Sequence, residues 1–209
     1  MALSDLYSNL HLFFRWLHVL SGIVWIGTLY FFNFINGPLQ AALDDTTKKL
    51  VNPKLMPRAL WWFRWGAMLT FLTGWTLFTM IYMYTPGNGF GPSSLFITPD
   101  GLISGRALWI LFGMSFASLM WFNVWFIIWP TQKAILSGKI PADQIPAART
   151  KAATFSRINT YLSGPMLFAM LAPNHYGAIN PVTILVVVAI GFALIWHCYK
   201  FAGKVGQMV

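Results

Sequence analysis

Four histidines, His11, His18, His175 and His197, hold most of the ligand chemistry in this sequence. Cys198 is the only thiol, so no intrachain disulfide forms, and neither CxxC, CxxCH nor HExxH occurs. Covalent attachment of a c-type haem and a zinc-protease centre are excluded at the level of motifs. His11 and His18 are seven residues apart, which places them on one stripe of a helix. Arg15 lies between them, and Gly22 and Trp25 continue the line. Imidazole ligates haem iron, a guanidinium pairs with a propionate, and glycine lets a flat macrocycle approach the backbone. A lone histidine near a membrane interface is more often a hydrogen-bonding group than a ligand. That bland account fits His197 best and the first-helix pair least.

Such side chains need elements to position them. Hydrophobic residues make up 57% of the 209 and charged residues 9%, against about 25% charged in a soluble domain. A membrane-spanning helix needs about 20 mostly apolar residues, and five runs qualify: 11–36, 59–84, 105–130, 153–173 and 181–202. The expected fold is all-α, a single polytopic bundle over residues 1–209 with about five transmembrane helices. The fourth run contains Arg157, Asn159, Ser163 and Pro165, so it is expected to face protein rather than lipid. The first run has no basic segment before it and contains Arg15, which reads as a retained helix rather than a cleaved signal peptide. No internal repeat is evident.

The net charge of +9 is gathered into short segments between apolar runs, a pattern of membrane orientation rather than nucleic-acid binding. Residues 37–58 carry Lys48, Lys49, Lys54 and Arg58, and residues 131–152 carry Lys133, Lys139, Arg149 and Lys151. The C-terminal end adds Lys200 and Lys204. Five alternating helices put all three basic segments on one side, so the N-terminus is expected outside and the C-terminus inside, in a bacterial inner membrane. The basic side is expected to touch anionic lipid or partner subunits. The segment 85–104, rich in Gly and Pro, falls outside; it reads equally as a cover, a docking surface or an inert loop.

Depth bears on which histidines share a ligand. At about 1.5 Å per residue, His18 lies about 10 Å deeper than His11. His11 and His175 both fall near the outer surface and pair best on depth alone. A tilted helix, or a fourth helix broken at Pro165 or Pro173, brings His175 to His18 instead. His197 lies too far toward the inner end to join either. Tryptophans such as Trp61, Trp62, Trp65, Trp109 and Trp129 read as an interfacial belt, and Arg58, Arg64 and Arg157 as snorkelling cations. Asn33, Asn123 and Asn159 are expected to bond between helices. None of the five carboxylates lies in a span, which argues against a carboxylate-based pump.

Three segments in order, RWLHVLSGIVWIGTLYFF, NVWFIIWPTQKAI and SRINTYLSGPMLFAMLAPNHY, resemble the membrane domain of the urate hydroxylase family, the bacterial cytochrome-c-linked urate oxidases. The likeness spans roughly residues 10–200. The first-helix pattern is also distantly similar to haem-binding membrane protoporphyrinogen oxidases and copper-resistance membrane proteins. Carried over by position, His18 and His175 are the matching histidines. Full family members are similar in this part but continue into further helices and a cytochrome c domain; with no CxxCH here, the cytochrome c is expected on a separate chain or complex.

The expected function is therefore membrane electron transfer by a b-type haem near the outer face, held by His18 and His175, with His11 the competing ligand. Arg15 and Arg106 are the candidate propionate partners. Two other functions stand beside it: a cofactor-free accessory subunit of a membrane complex, and an enzyme oxidising a urate-like small molecule through a separate cytochrome.

Overall fold

The computed structural model describes residues 5–177 and 179–206. Helix α1 (Leu6–Tyr30) is capped by Asp5, whose carboxylate accepts from the Ser8 amide at 3.1 Å. It passes through a π-helical segment (Phe31–Asn36) into α2 (Gly37–Ala42), forming one long rod. Asp44 caps α3 (Asp45–Tyr82) through the Thr47 amide at 2.9 Å. A small antiparallel hairpin follows, β1 (Tyr84–Thr85) with β2 (Gly89–Phe90). Ser104 caps α4 (Gly105–Phe122), which continues through a second π-helical segment (Asn123–Ile128) into α5 (Trp129–Leu136). Helix α6 (Ile145–His175) and helix α7 (Pro181–Val205) complete the bundle.

The chain is an all-α helix bundle of five long helical rods. Three of them, Leu6–Ala42, Gly105–Leu136 and Pro181–Val205, are long and apolar enough to cross a membrane. Helices α3 and α6 carry more polar residues and bury Thr70, Thr73, Asn159, Thr160 and Ser163 against their neighbours. That placement is what apolar surroundings require of polar side chains.

Contacts at the two ends fix how the rods alternate. Tyr7 near the start of α1 donates to the Met80 carbonyl at 2.5 Å and packs on Tyr84 of the hairpin. Arg106 at the start of α4 donates to Asn174 at the end of α6, 2.6 Å away. At the opposite end, residues of both strongly basic connections line a single cavity, among them Lys48, Lys49 and Arg149. The two basic segments thus share one end, as the charge pattern requires.

Several boundaries differ from the sequence reading. The second helix begins at Asp45 rather than near 59, because Pro53 and Pro57 are accommodated inside it. Each proline removes one backbone bond, and the Asp44 cap with Asp45 in the first turn starts the helix earlier. The fourth helix begins at Ile145 and runs unbroken through Pro165 to His175. Pro165 instead packs on α7: a Cβ on Gly191 would lie 2.7 Å from its Cδ. Gly164 faces the same crossing, where an added Cβ would come within 2.8 Å of the Gly191 carbonyl oxygen. Close approach through small residues is a common way for membrane helices to pack.

A repeated local pattern also emerges. Two of the rods that start at the Tyr7–Arg106 end contain a π-helical segment with an asparagine, followed by Pro-x-Gln: Asn33 then Pro38-Leu39-Gln40, and Asn123 then Pro130-Thr131-Gln132. Both asparagines bond to α6. Asn33 donates to Ser156 at 2.8 Å and accepts from the Tyr199 hydroxyl at 2.8 Å. Asn123 donates to Asn159 at 2.8 Å, and Asn159 donates to the Met120 carbonyl at 2.9 Å. The expectation that these asparagines join helices is met, whereas the repeat went unseen because it spans only a few residues with unequal spacing.

Two measurements test this arrangement. Asn88 in the hairpin and Ser137 after α5 are both exposed; as Asn88→Cys and Ser137→Cys in a Cys198→Ser background, they should label from opposite faces of a vesicle, and labelling from the same face contradicts the alternation. Gly191→Val should lower stability by about 1–3 kcal/mol through overpacking against Pro165, read as a fall in Tm in detergent, while exposed Gly203→Ala should leave Tm nearly unchanged.

A histidine-walled cavity as the candidate functional site

Between α1, α3, α4 and α6 lies a cavity of about 480 Å³, within the size range of small-molecule and cofactor pockets. Its walls are almost wholly apolar. From α1 come His18, Gly22 and Trp25; from α3, Thr70, Phe71 and Gly74; from the other two helices, Ala117 with three thioethers, Met114, Met166 and Met170. The cavity exists because the first two rods pack closely together and the second pair does likewise. Gly66 is the tightest contact of the first pair, where an added Cβ would sit 3.0 Å from the Trp25 amide nitrogen. Gly113 against Ala169 is its counterpart in the second pair, at 3.0 Å. Two tight pairs meeting each other more loosely leave a gap between them.

His18 is the one titratable side chain in that wall. Its Nδ1 lies 3.0 Å from the Thr73 hydroxyl oxygen. That hydroxyl donates its single proton back along α3, to the Leu69 carbonyl at 2.6 Å, with the Thr70 carbonyl 3.2 Å away. A hydroxyl has one hydrogen, so toward the imidazole the Thr73 oxygen accepts. His18 therefore carries its hydrogen on Nδ1 and keeps a lone pair on Nε2. This is the tautomer that binds a metal through Nε2, with the other ring nitrogen donating to an outer partner. Gly74 preserves the ring's place: a Cβ there would come within 3.1 Å of His18 Cε1.

The other sequence candidates lie elsewhere. His11 is half-buried nearer the start of α1, and the Arg15 Nη2 lies 3.4 Å from its Nε2. Arg15 itself is exposed. His175 is the exposed last residue of α6, outside the cavity wall. Arg106 bonds the neighbouring Asn174 and keeps a buried Nε without a partner. The structure thus joins Arg15 to His11 and brings Arg106 beside the end of α6, but it does not bring His18 and His175 to one cavity. Thr73 and Gly74 escaped the sequence reading. Their only signal is the small and polar stripe Thr70, Thr73, Gly74 within an otherwise bulky apolar run.

Fold and cavity together define a polytopic membrane helix bundle with one imidazole in the wall of a half-open apolar cleft between helices. The chain belongs to the urate oxidase N-terminal family, whose model matches residues 4–90 and 94–207. No curated relative and no solved structure matches it.

Replacing Thr73 isolates its role. Thr73→Val should remove the hydroxyl acceptor beside Nδ1, at a cost of about 1 kcal/mol, and the ¹⁵N spectrum of labelled histidine should change from one fixed tautomer to a mixture at His18. Thr73→Ser should retain the wild-type spectrum. An unchanged tautomer in Thr73→Val would show that another group holds the ring.

Proposed function

We propose that this chain is a membrane electron-transfer module of its family that carries a b-type haem in the His18 cavity, in the bacterial inner membrane. The single observation that supports this most is His18 in the wall of a chamber of cofactor size, with its Nδ1 3.0 Å from the Thr73 hydroxyl. The residues present fit the group in three respects. The walls are apolar, as a porphyrin face requires; Gly22 and Gly74 leave room beside the imidazole; and a ligating imidazole stands ready without rearrangement. Haem, when bound, supplies a one-electron couple.

The chain's own residues then have separate tasks. His18 would hold the iron, Thr73 would orient the ring, and the surrounding aromatic and aliphatic side chains would exclude water. A further ligand to the iron would come from one of two sources. The thioethers of Met114, Met166 and Met170 already line the cavity, whereas His175 must move inward from the end of α6. His–Met ligation raises the reduction potential relative to two imidazoles, which favours taking electrons up, whereas two imidazoles would favour passing them onward to a cytochrome c as separate partner. Oxidation of a urate-like substrate by the assembled system is the broader role consistent with the family.

The visible spectrum of protein purified from haem-replete cells tests this. The expected result is a Soret band with sharp reduced α and β bands, lost or turned high-spin in His18→Ala and retained in His197→Ala. Loss in His175→Ala as well would identify the second ligand as imidazole; a far-red thioether band, removed by one of the three Met→Leu changes, would identify sulfur. No Soret band in the wild type would overturn the haem assignment and favour a cofactor-free accessory subunit.

A further inference from the structure

The basic end of the bundle holds a second cavity, of about 550 Å³, with far more polar and charged side chains in its wall than the first. Its wall comes from four segments: the end of the first rod, the start of α3, α5 and the start of α6. Lys48 and the exposed Lys49 line its half-open wall from α3 and the exposed Arg149 from α6, with Asp45 the only carboxylate. Four amides complete the polar lining, Asn36, Gln40, Asn52 and Gln132.

Charge within the cavity is unbalanced. Three cations face one carboxylate, and that carboxylate is spent on a single long contact, Lys48 to Asp45 at 3.5 Å on the exposed rim. Lys49 and Arg149 have no ion-pair or hydrogen-bond partner among the described residues. The amides are not loosely scattered. Gln40 and Asn52 bond reciprocally, Nε2 to Oδ1 at 2.8 Å and Nδ2 to Oε1 at 2.9 Å. This closed pair ties the end of the first rod to α3 and stiffens one wall. Gln132 occupies the matching Pro-x-Gln position of the second rod and has no such partner, so its amide remains available. The repeated pattern thus supplies one structural glutamine and one open glutamine to the same chamber.

We propose that this cavity binds a phosphate-bearing anion, with Lys49, Arg149 and Gln132 as its contacts. The cation excess of two within the wall matches a phosphate better than a neutral ligand. Arg149 offers the planar fork that phosphate oxygens accept in pairs, and the lysine supplies a mobile point charge. The basic end faces the cytoplasmic leaflet by the positive-inside rule, where the same chemistry comes from two sources, an anionic lipid headgroup or a soluble phosphate ester.

The full chain in nanodiscs provides the test. In one arm, retention of phosphatidylglycerol against phosphatidylcholine is measured by native mass spectrometry; in the other, inorganic phosphate is titrated into protein in pure phosphatidylcholine discs. Wild type is expected to retain the anion in at least one arm, and the arm that responds identifies the source. Lys49→Gln with Arg149→Gln should weaken binding about thirtyfold, and the charge-neutral Gln132→Leu should weaken it measurably. Lys133→Gln with Lys139→Gln removes the same charge outside the cavity and should change little. Equal losses in the two double variants would replace a site with general surface attraction, and no anion retention in either arm would overturn the proposal. A Tm within a degree or so of wild type confirms that each variant folds; should the double variant fail this, Gln132→Leu alone decides.

Discussion

Polar side chains in an apolar bundle must find partners inside it, and that constraint organises this molecule. Asn159 is fully buried and satisfied twice, accepting from Asn123 and donating to the Met120 carbonyl. Asn33 is satisfied three ways, with Leu29, Ser156 and Tyr199. Both networks run through α6, which explains why a helix too polar to rank as a span by its hydropathy stands at the centre of the bundle. A buried polar group without a partner costs on the order of several kcal/mol in such surroundings, so these bonds fix rotation and register more firmly than apolar contact does. The π-helical segments sit where the asparagines meet α6, consistent with the way such insertions re-aim a side chain at a point of need.

The same constraint shapes the His18 cavity. Thr73 is satisfied by its own helix, so its hydroxyl presents only acceptor character to the neighbouring helix. That arrangement favours the tautomer with its hydrogen on Nδ1. The cavity itself is what remains when two glycine-mediated helix pairs, one closed at Gly66 and the other at Gly113, meet with less intimate packing between them.

Much of the fold was legible in the sequence because apolar length and loop charge are direct physical signals. The five helices, their alternation, the inward polarity of α6 and the bonding asparagines all followed from them. Helix starts were less legible: apolar length places the second start near 59, and only the Asp44 cap argues for the earlier one. The site was legible in part. Placing His11, Arg15 and His18 on one stripe was sound as geometry, yet a stripe covers one face over several turns, and the packing of α3 divides it, leaving His11 and Arg15 with each other and His18 with Thr73. Nothing local to His175 says whether the end of α6 turns inward, and a pattern as short as Pro-x-Gln becomes visible only when both copies are seen lining one chamber.

The central proposal is that the apolar cavity walled by His18, with Thr73 beside its ring, takes a haem. Titration of haemin into detergent-purified protein freed of bound haem tests it most directly. One equivalent should bind to wild type with a shifted Soret band, and His18→Ala should show no such step while keeping the wild-type Tm. Identical titrations of the two proteins would contradict the account.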